Sequence, residues 1–218
     1  MNQSQNKSLL PEGEFIALMA MVTALIALST DAMLPALDDI GTSLGTQNPN
    51  DNQLVLVMLF LGLAVGQLFS GPLSDAIGRK PTVSLGYAVF IVGCILSIFA
   101  TNMTMMLGGR VLQGLGVAGP RTVSIALIRD LYEGRRMARI MSFIMTVFIL
   151  VPIIAPTLGQ GILLIADWRS IFVALLLMAL ATFFWFTIRQ PETLPPERRM
   201  LKLLGVRLDC CFILVSTG

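Results

Sequence analysis

Apolar residues along this chain fall into long blocks, not into the alternating or three-to-four-residue patterns of half-buried elements. Six blocks are free or nearly free of charge: Phe15–Ala36, Leu54–Pro72, Thr82–Thr101, Thr104–Leu127, Ile140–Leu163 and Ser170–Ile188. Each runs 19 to 24 residues. At ~1.5 Å per residue each can cross a hydrocarbon core of ~30 Å. Of the 15 Lys and Arg and 13 Asp and Glu, only Asp31, Arg110 and Arg121 fall inside these windows. A charge at the bilayer centre costs at least ~2.5–3.5 kcal/mol, so lipid-facing helices demand this partition and a soluble helical core does not. The pattern predicts an all-α polytopic membrane protein with six transmembrane helices. The first block is too long for a cleaved signal peptide, carries Asp31 and is followed by five more spans, so it is expected to be retained. The predicted organisation is a tail over 1–14, a six-helix bundle over 15–188, and a linker with an atypical tail over 189–218.

Basic residues then set the orientation. In a six-span reading, Lys7, the loops with Arg79, Lys80, Arg129, Arg135, Arg136 and Arg139, and the tail with Arg189, Arg198, Arg199, Lys202 and Arg207 share one side. The opposite side has only Arg169 and carries Asp38, Asp39 and Asp51. By the positive-inside rule both termini are expected in the cytoplasm, with the chain in a bacterial inner membrane.

Composition narrows the function. The chain is 55% apolar and 13% charged, against roughly 25% charged in soluble domains. That excludes a disordered chain and argues against a soluble enzyme or a nucleic-acid binder. There is no His, which removes most zinc sites and His-based catalysis. No nucleophile–base set, metal cluster or phosphate loop is visible, so neither an enzyme nor a metal is expected. Cys94 sits in the third span, and the adjacent Cys210 and Cys211 cannot bridge without strain, so no disulfide is expected. The Cys pair is either a palmitoylation site or incidental.

Three constellations carry candidate chemistry. The loop after the second span reads Gly71-Pro-Leu-Ser-Asp75-Ala-Ile-Gly78-Arg79-Lys80. Gly71-Pro72 is expected to end the helix, Gly78 to take a positive φ, and Pro81 to open the next helix at its first position. Asp75 and Arg79 are close enough to pair. The fourth span begins Gly109-Arg110-Val-Leu-Gln113-Gly114-Leu-Gly116. By residue rise, Arg110 lies ~9 Å in from the outer end of its span and Asp31 ~8 Å in from the same face. The expectation is that Asp31 and Arg110 face a shared central cavity and set each other's protonation; a structural buried ion pair is the alternative. Met33 and Gln113 are further cavity candidates. Arg121 is a third, eleven residues after Arg110 and so within ~20° of the same helix face. The fifth span contains Pro152, Pro156, Gly159 and Gly161, which kink a helix and let neighbours approach.

These motifs resemble those of the major facilitator superfamily. Gly-x-Leu-Ser-Asp-x-x-Gly-Arg-Lys between two spans is similar to its cytoplasmic loop signature, with Ala76 where a basic residue is common. Arg110-x-x-Gln113-Gly-x-Gly resembles a second signature, which implies a role in proton transfer. Thr30-Asp31-Ala-Met-Leu34-Pro35 resembles the first-span motif of bacterial drug:proton antiporters. Arg129-Asp130-Leu-Tyr resembles that branch too, and implies that Asp130 joins Asp75 and Arg79 in a gate-side charge cluster; a solvated interfacial trio is the alternative. The proline-glycine run of the fifth span resembles the antiporter signature, with Ala155 and Gln160 replacing glycines, and implies export. Residues 14–199 are similar to the N-terminal six-helix half of the bicyclomycin-resistance (Bcr/CflA-type) branch.

The resemblance implies two inverted three-helix repeats and two halves rocking about a midplane site. It implies proton-coupled efflux of small hydrophobic antibiotics, bicyclomycin- or chloramphenicol-like, driven by the proton gradient without a cofactor. Asp31 would carry the proton and Arg110 partner it. The expected partners are the drug, protons, membrane lipid, and a second half or a second copy of the chain; no nucleic acid is expected. A seventh span should begin soon after the linker in a full transporter, and none does. The alternatives left open are a self-associating exporter, an inactive truncated half-transporter, and an accessory membrane protein that needs a second half.

Overall fold

The structure is a computed structural model that describes residues 11–46 and 48–190. Regular structure among them is helical throughout: α1 (Glu12–Asp31), α2 (Leu37–Ser43), α3 (Leu54–Ile77), α4 (Arg79–Ile98), α5 (Met103–Leu131), α6 (Gly134–Leu163) and α7 (Arg169–Arg189), with short 3-10 turns at Leu34–Ala36 and Pro49–Gln53. The six long helices fall on the six expected spans, and each is long and apolar enough to cross a membrane.

Their boundaries differ from the expectation at the end of the bundle that carries most Lys and Arg, called the basic end below. There α1 starts at Glu12, inside the expected tail. Gly71-Pro72 does not end α3, which continues to Ile77 with Pro72 inside it. Gly78, at φ 110°, is the break. α4 then begins at Arg79, so Pro81 is its third residue, not its first. That position costs little, because the first-turn N–H groups lack intrahelical partners anyway. α6 starts at Gly134, six residues before the expected span, so Arg135, Arg136 and Arg139 lie on helix. At the opposite end the Asn102 side chain accepts from the Met105 amide at 2.8 Å and caps α5. The linker beyond Gln190 and the Cys210-Cys211 pair lie outside the described residues. Cys94 is buried as a free thiol.

α5 runs through the middle of the bundle and α6 along its edge: 61% of the apolar stretch of α5 is buried, against 17% for α6. α5 is gripped between α3 and α4, and the grip is made by missing side chains. A Cβ on Gly114 would strike the Leu59 carbonyl of α3, and one on Gly116 the Phe90 backbone of α4. The partners answer in kind, since Gly66 of α3 lies against Ala118 and Gly86 of α4 against Gly116 and Pro120. Lipid supplies no hydrophobic drive between helices, so close backbone contact must hold them. α6 leans on α1, and Ile149, Ile153, Ile154 and Leu158 face outward. Pro152 and Pro156 sit inside a helix without interruption. Gly159 meets the Ala32 carbonyl and Pro35, whereas Gly161 has nothing within 4 Å.

Candidate functional site

Arg110 is fully buried, and its guanidinium is spent on backbone and amide oxygens. Nη2 donates to the Ser29 carbonyl of α1 at 3.0 Å, Nη1 to Gln113 Oε1 at 2.6 Å, and Nε to the Val55 carbonyl of α3 at 3.3 Å. The Phe172 ring of α7 lies 5.4 Å from its carbon. Ser29 is in the last turn of α1, where a helix leaves carbonyls unpartnered and its dipole favours a cation. The Gln113 amide passes the link on to α4, donating to Ser97 Oγ at 3.2 Å and facing Cys94 Sγ at 3.6 Å. One polar node therefore ties α1, α3, α4 and α5 together, with α7 over its face.

Asp31 is the last residue of α1 and is half-buried. Asp31 and Arg110, expected to face a shared cavity, are not brought together: Arg110 is enclosed, and the alternative, a buried ion pair, does not form, since among the described residues Asp31 has no salt bridge. The guanidinium reaches the first helix two residues earlier, at a carbonyl. Met33 and Gln113, expected on a cavity wall, are wholly enclosed by neighbouring helices. The acceptors that captured Arg110 are main-chain atoms, which a census of charged side chains passes over. The only sequence cue to them is that the first helix ends near Pro35.

The basic end holds a second cluster. Arg79 pairs with Asp75 at 3.0 Å and with Asp130 at 3.3 Å, and donates to Ser74 Oγ at 2.8 Å. It thereby joins the end of α3, the start of α4 and the end of α5. Lys80 donates to the Thr187 carbonyl of α7 at 2.7 Å. Arg189 clasps Glu14 with two bonds of 2.6 and 2.7 Å, and the Trp185 indole N–H adds a third at 3.3 Å. Sequence reasoning missed this α1–α7 clasp, because the two residues stand at opposite ends of the bundle's sequence. Between α3 and α5 lies a cavity of about 560 Å³, lined by Gln67, Gly71, Asp75, Arg79, Arg121, Thr122, Ile125, Ala126, Arg129 and Asp130. Arg121 opens onto it and stands 5.9 Å from the Phe148 ring of α6. Arg110 and Arg121 thus share a helix but not a cavity. No group of three or more metal-ligating side chains gathers among the described residues.

The family model described as Major Facilitator Superfamily matches residues 19–208. The chain belongs to this superfamily. With six membrane-crossing helices among the described residues, it has the build of a multi-pass membrane protein. Similar proteins include the uncharacterized MFS-type transporter YdgK of Bacillus subtilis, 31% identical over 86% of this chain and 47% of its own length. The multidrug resistance protein MdtL of Shigella flexneri is 36% identical over 62% of this chain and 34% of its own length. The human organic anion transporter MFSD10 (TETRAN) shares the fold at a TM-score of 0.67 and 20% identity, over 90% of this chain and 52% of that one. The chain spans about half the length of the curated relatives it matches, or less.

Proposed function

We propose that this superfamily member is the N-terminal half of a proton-coupled drug exporter of the Bcr/CflA type, working in a bacterial inner membrane with both termini in the cytoplasm. The observation that carries the reading is Asp31. It is a half-buried carboxylate at the broken end of α1, with no counter-ion among the described residues. A carboxylate in that position can exchange its charge for a proton without breaking a fixed pair. Arg110 holds the carbonyl two residues away, so it acts on Asp31 through the helix end. The relation to a multidrug resistance protein supports drugs as cargo. Small hydrophobic antibiotics are the proposed class. Alternating access needs an opposing wall, which a second six-helix half or a second copy would supply.

The test is drug efflux in inverted vesicles from a strain stripped of its own exporters. The chain is expressed alone and with a second six-helix half. Efflux that collapses with a protonophore in wild type and disappears in Asp31→Asn supports the reading. Undiminished coupled efflux by Asp31→Asn refutes the role of Asp31, and no efflux in either pairing favours an inactive half.

A further inference from the structure

We propose that the groove between the basic-end halves of α3 and α5 binds an amphiphilic anion: a molecule with a phosphate head and an apolar tail. This site is separate from Asp31 and does not depend on drug export. The charges of the groove are unevenly spent. Its two carboxylates, Asp75 and Asp130, are both engaged by Arg79. Arg121 and Arg129 also line it, and neither has a salt bridge or hydrogen bond with another described residue. The three arginines and two aspartates of the groove leave it one positive charge in excess, and that excess lies on the Arg121 and Arg129 side, away from the Arg79 cluster.

Arg121 makes the excess costly. It belongs to α5 within an apolar span, about three turns from the buried Gly109-Arg110 pair towards the basic end. An uncompensated charge at such depth needs either water or a counter-ion. The cavity admits a counter-ion, since about 560 Å³ is within the ~300–1,000 Å³ of sites that hold organic ligands. Guanidinium groups favour phosphate because their planar donors match its oxygens two at a time. An apolar tail has a matching surface beside it. Leu68, next to Gln67 on α3, is 74% exposed, and Leu61, two turns away on the same face, is 51% exposed. A head between Arg121 and Arg129 with a tail along this face describes a membrane phospholipid or a soluble phosphate ester of similar chemistry.

The experiment uses the full chain purified in non-ionic detergent. Retained lipid is counted by native mass spectrometry with phosphatidylglycerol and, separately, phosphatidylcholine. The expected result is one phosphatidylglycerol held about tenfold more tightly than phosphatidylcholine, with Arg121→Gln and Arg129→Gln each weakening it about tenfold. Arg135→Gln, on the exposed start of α6 outside the groove, leaves binding unchanged. Arg121→Lys and Arg129→Lys keep the charge and retain most of the preference, which separates lost binding from lost folding. Inorganic phosphate in millimolar excess distinguishes the sources: displacement of the lipid assigns the site to the phosphate group alone, and no displacement assigns it to the lipid. Equal retention of both lipids, or Gln variants that bind as wild type does, overturns the proposal.

Discussion

Replacing Arg110 by Met tests whether the buried guanidinium holds the bundle together. The substitution keeps a long apolar stem but removes every donor. Two of the lost bonds are short, to Gln113 at 2.6 Å and Ser29 at 3.0 Å, and the bond to Val55 at 3.3 Å is marginal. Hydrogen bonds to charged groups contribute about 1.5–3 kcal/mol each, and the Phe172 contact adds roughly 0.5–2. Against this stand the burial penalty no longer borne by the cation and the favourable packing of the Met side chain. The balance is a loss of about 3 kcal/mol, because Gln113 Oε1 and the Ser29 carbonyl are left dry and unpartnered. For a chain of this size that lowers the unfolding midpoint by roughly 6–12 °C. The assay is thermal unfolding of the purified chain in detergent. The double variant Arg110→Met/Gln113→Leu removes an orphaned acceptor and should recover part of the loss. A midpoint within about 2 °C of wild type for Arg110→Met, or a double variant with no recovery, would refute the argument.

The remaining predictions concern packing and the basic end. Gly116→Val must push α5 off the Phe90 backbone and should cost about 1–3 kcal/mol or abolish the folded monomer, measured by size-exclusion chromatography and melting. Gly108→Ala, with nothing within 4 Å, should melt at or slightly above wild type, because Ala is the better helix former. On α6, Gly159→Ala collides with the Ala32 carbonyl and should destabilise, whereas Gly161→Ala meets open space and should not; equal melting of the two would show that α6 does not lie against the end of α1. Arg79→Gln releases Asp75 and Asp130 together, so amide exchange should quicken at the ends of α3 and α5 and stay unchanged at Arg110. Exchange that rises evenly over all helices would count against a local clamp.

The spans were legible because lipid enforces them: a helix facing acyl chains tolerates almost no charge, and the charge-free blocks report it directly. Their basic-end limits were not, since a helix does not stop where the hydrocarbon stops. The backbone of α3 runs on through Pro72 to Gly78, and α6 already includes Arg135 and Arg136 before its apolar block begins. The Asp75–Arg79 pair was legible because the two stand four residues apart across one turn, whereas Asp130 joined them only through the resemblance of its Arg-Asp-Leu-Tyr run, since spacing does not relate residues 51 positions apart. The central node was not legible. Residue rise placed Asp31 and Arg110 at one depth, and the structure does bring their helices together there. Depth along an axis says nothing about the direction in which a side chain leaves it.

That direction explains the spacing of the seven-residue segment from Arg110 to Gly116. Arg110 turns to the last turn of α1 and the first of α3, while Gln113, one turn on, shares its face and reaches Ser97 on α4. Gly114 presses on α3 and Gly116 on α4. The polar pair can stay buried only because the two glycines bring α3 and α4 close enough to shut water out; a larger residue at either would open the node. The guanidinium therefore serves first as the cap of the helix that ends in Asp31. A proton arriving at Asp31 changes the charge two residues from the carbonyl that Arg110 holds. Any coupling between the two then runs through the end of α1, so Arg110→Lys, which keeps the charge but cannot reach Ser29, Val55 and Gln113 at once, should disable it as fully as Arg110→Met.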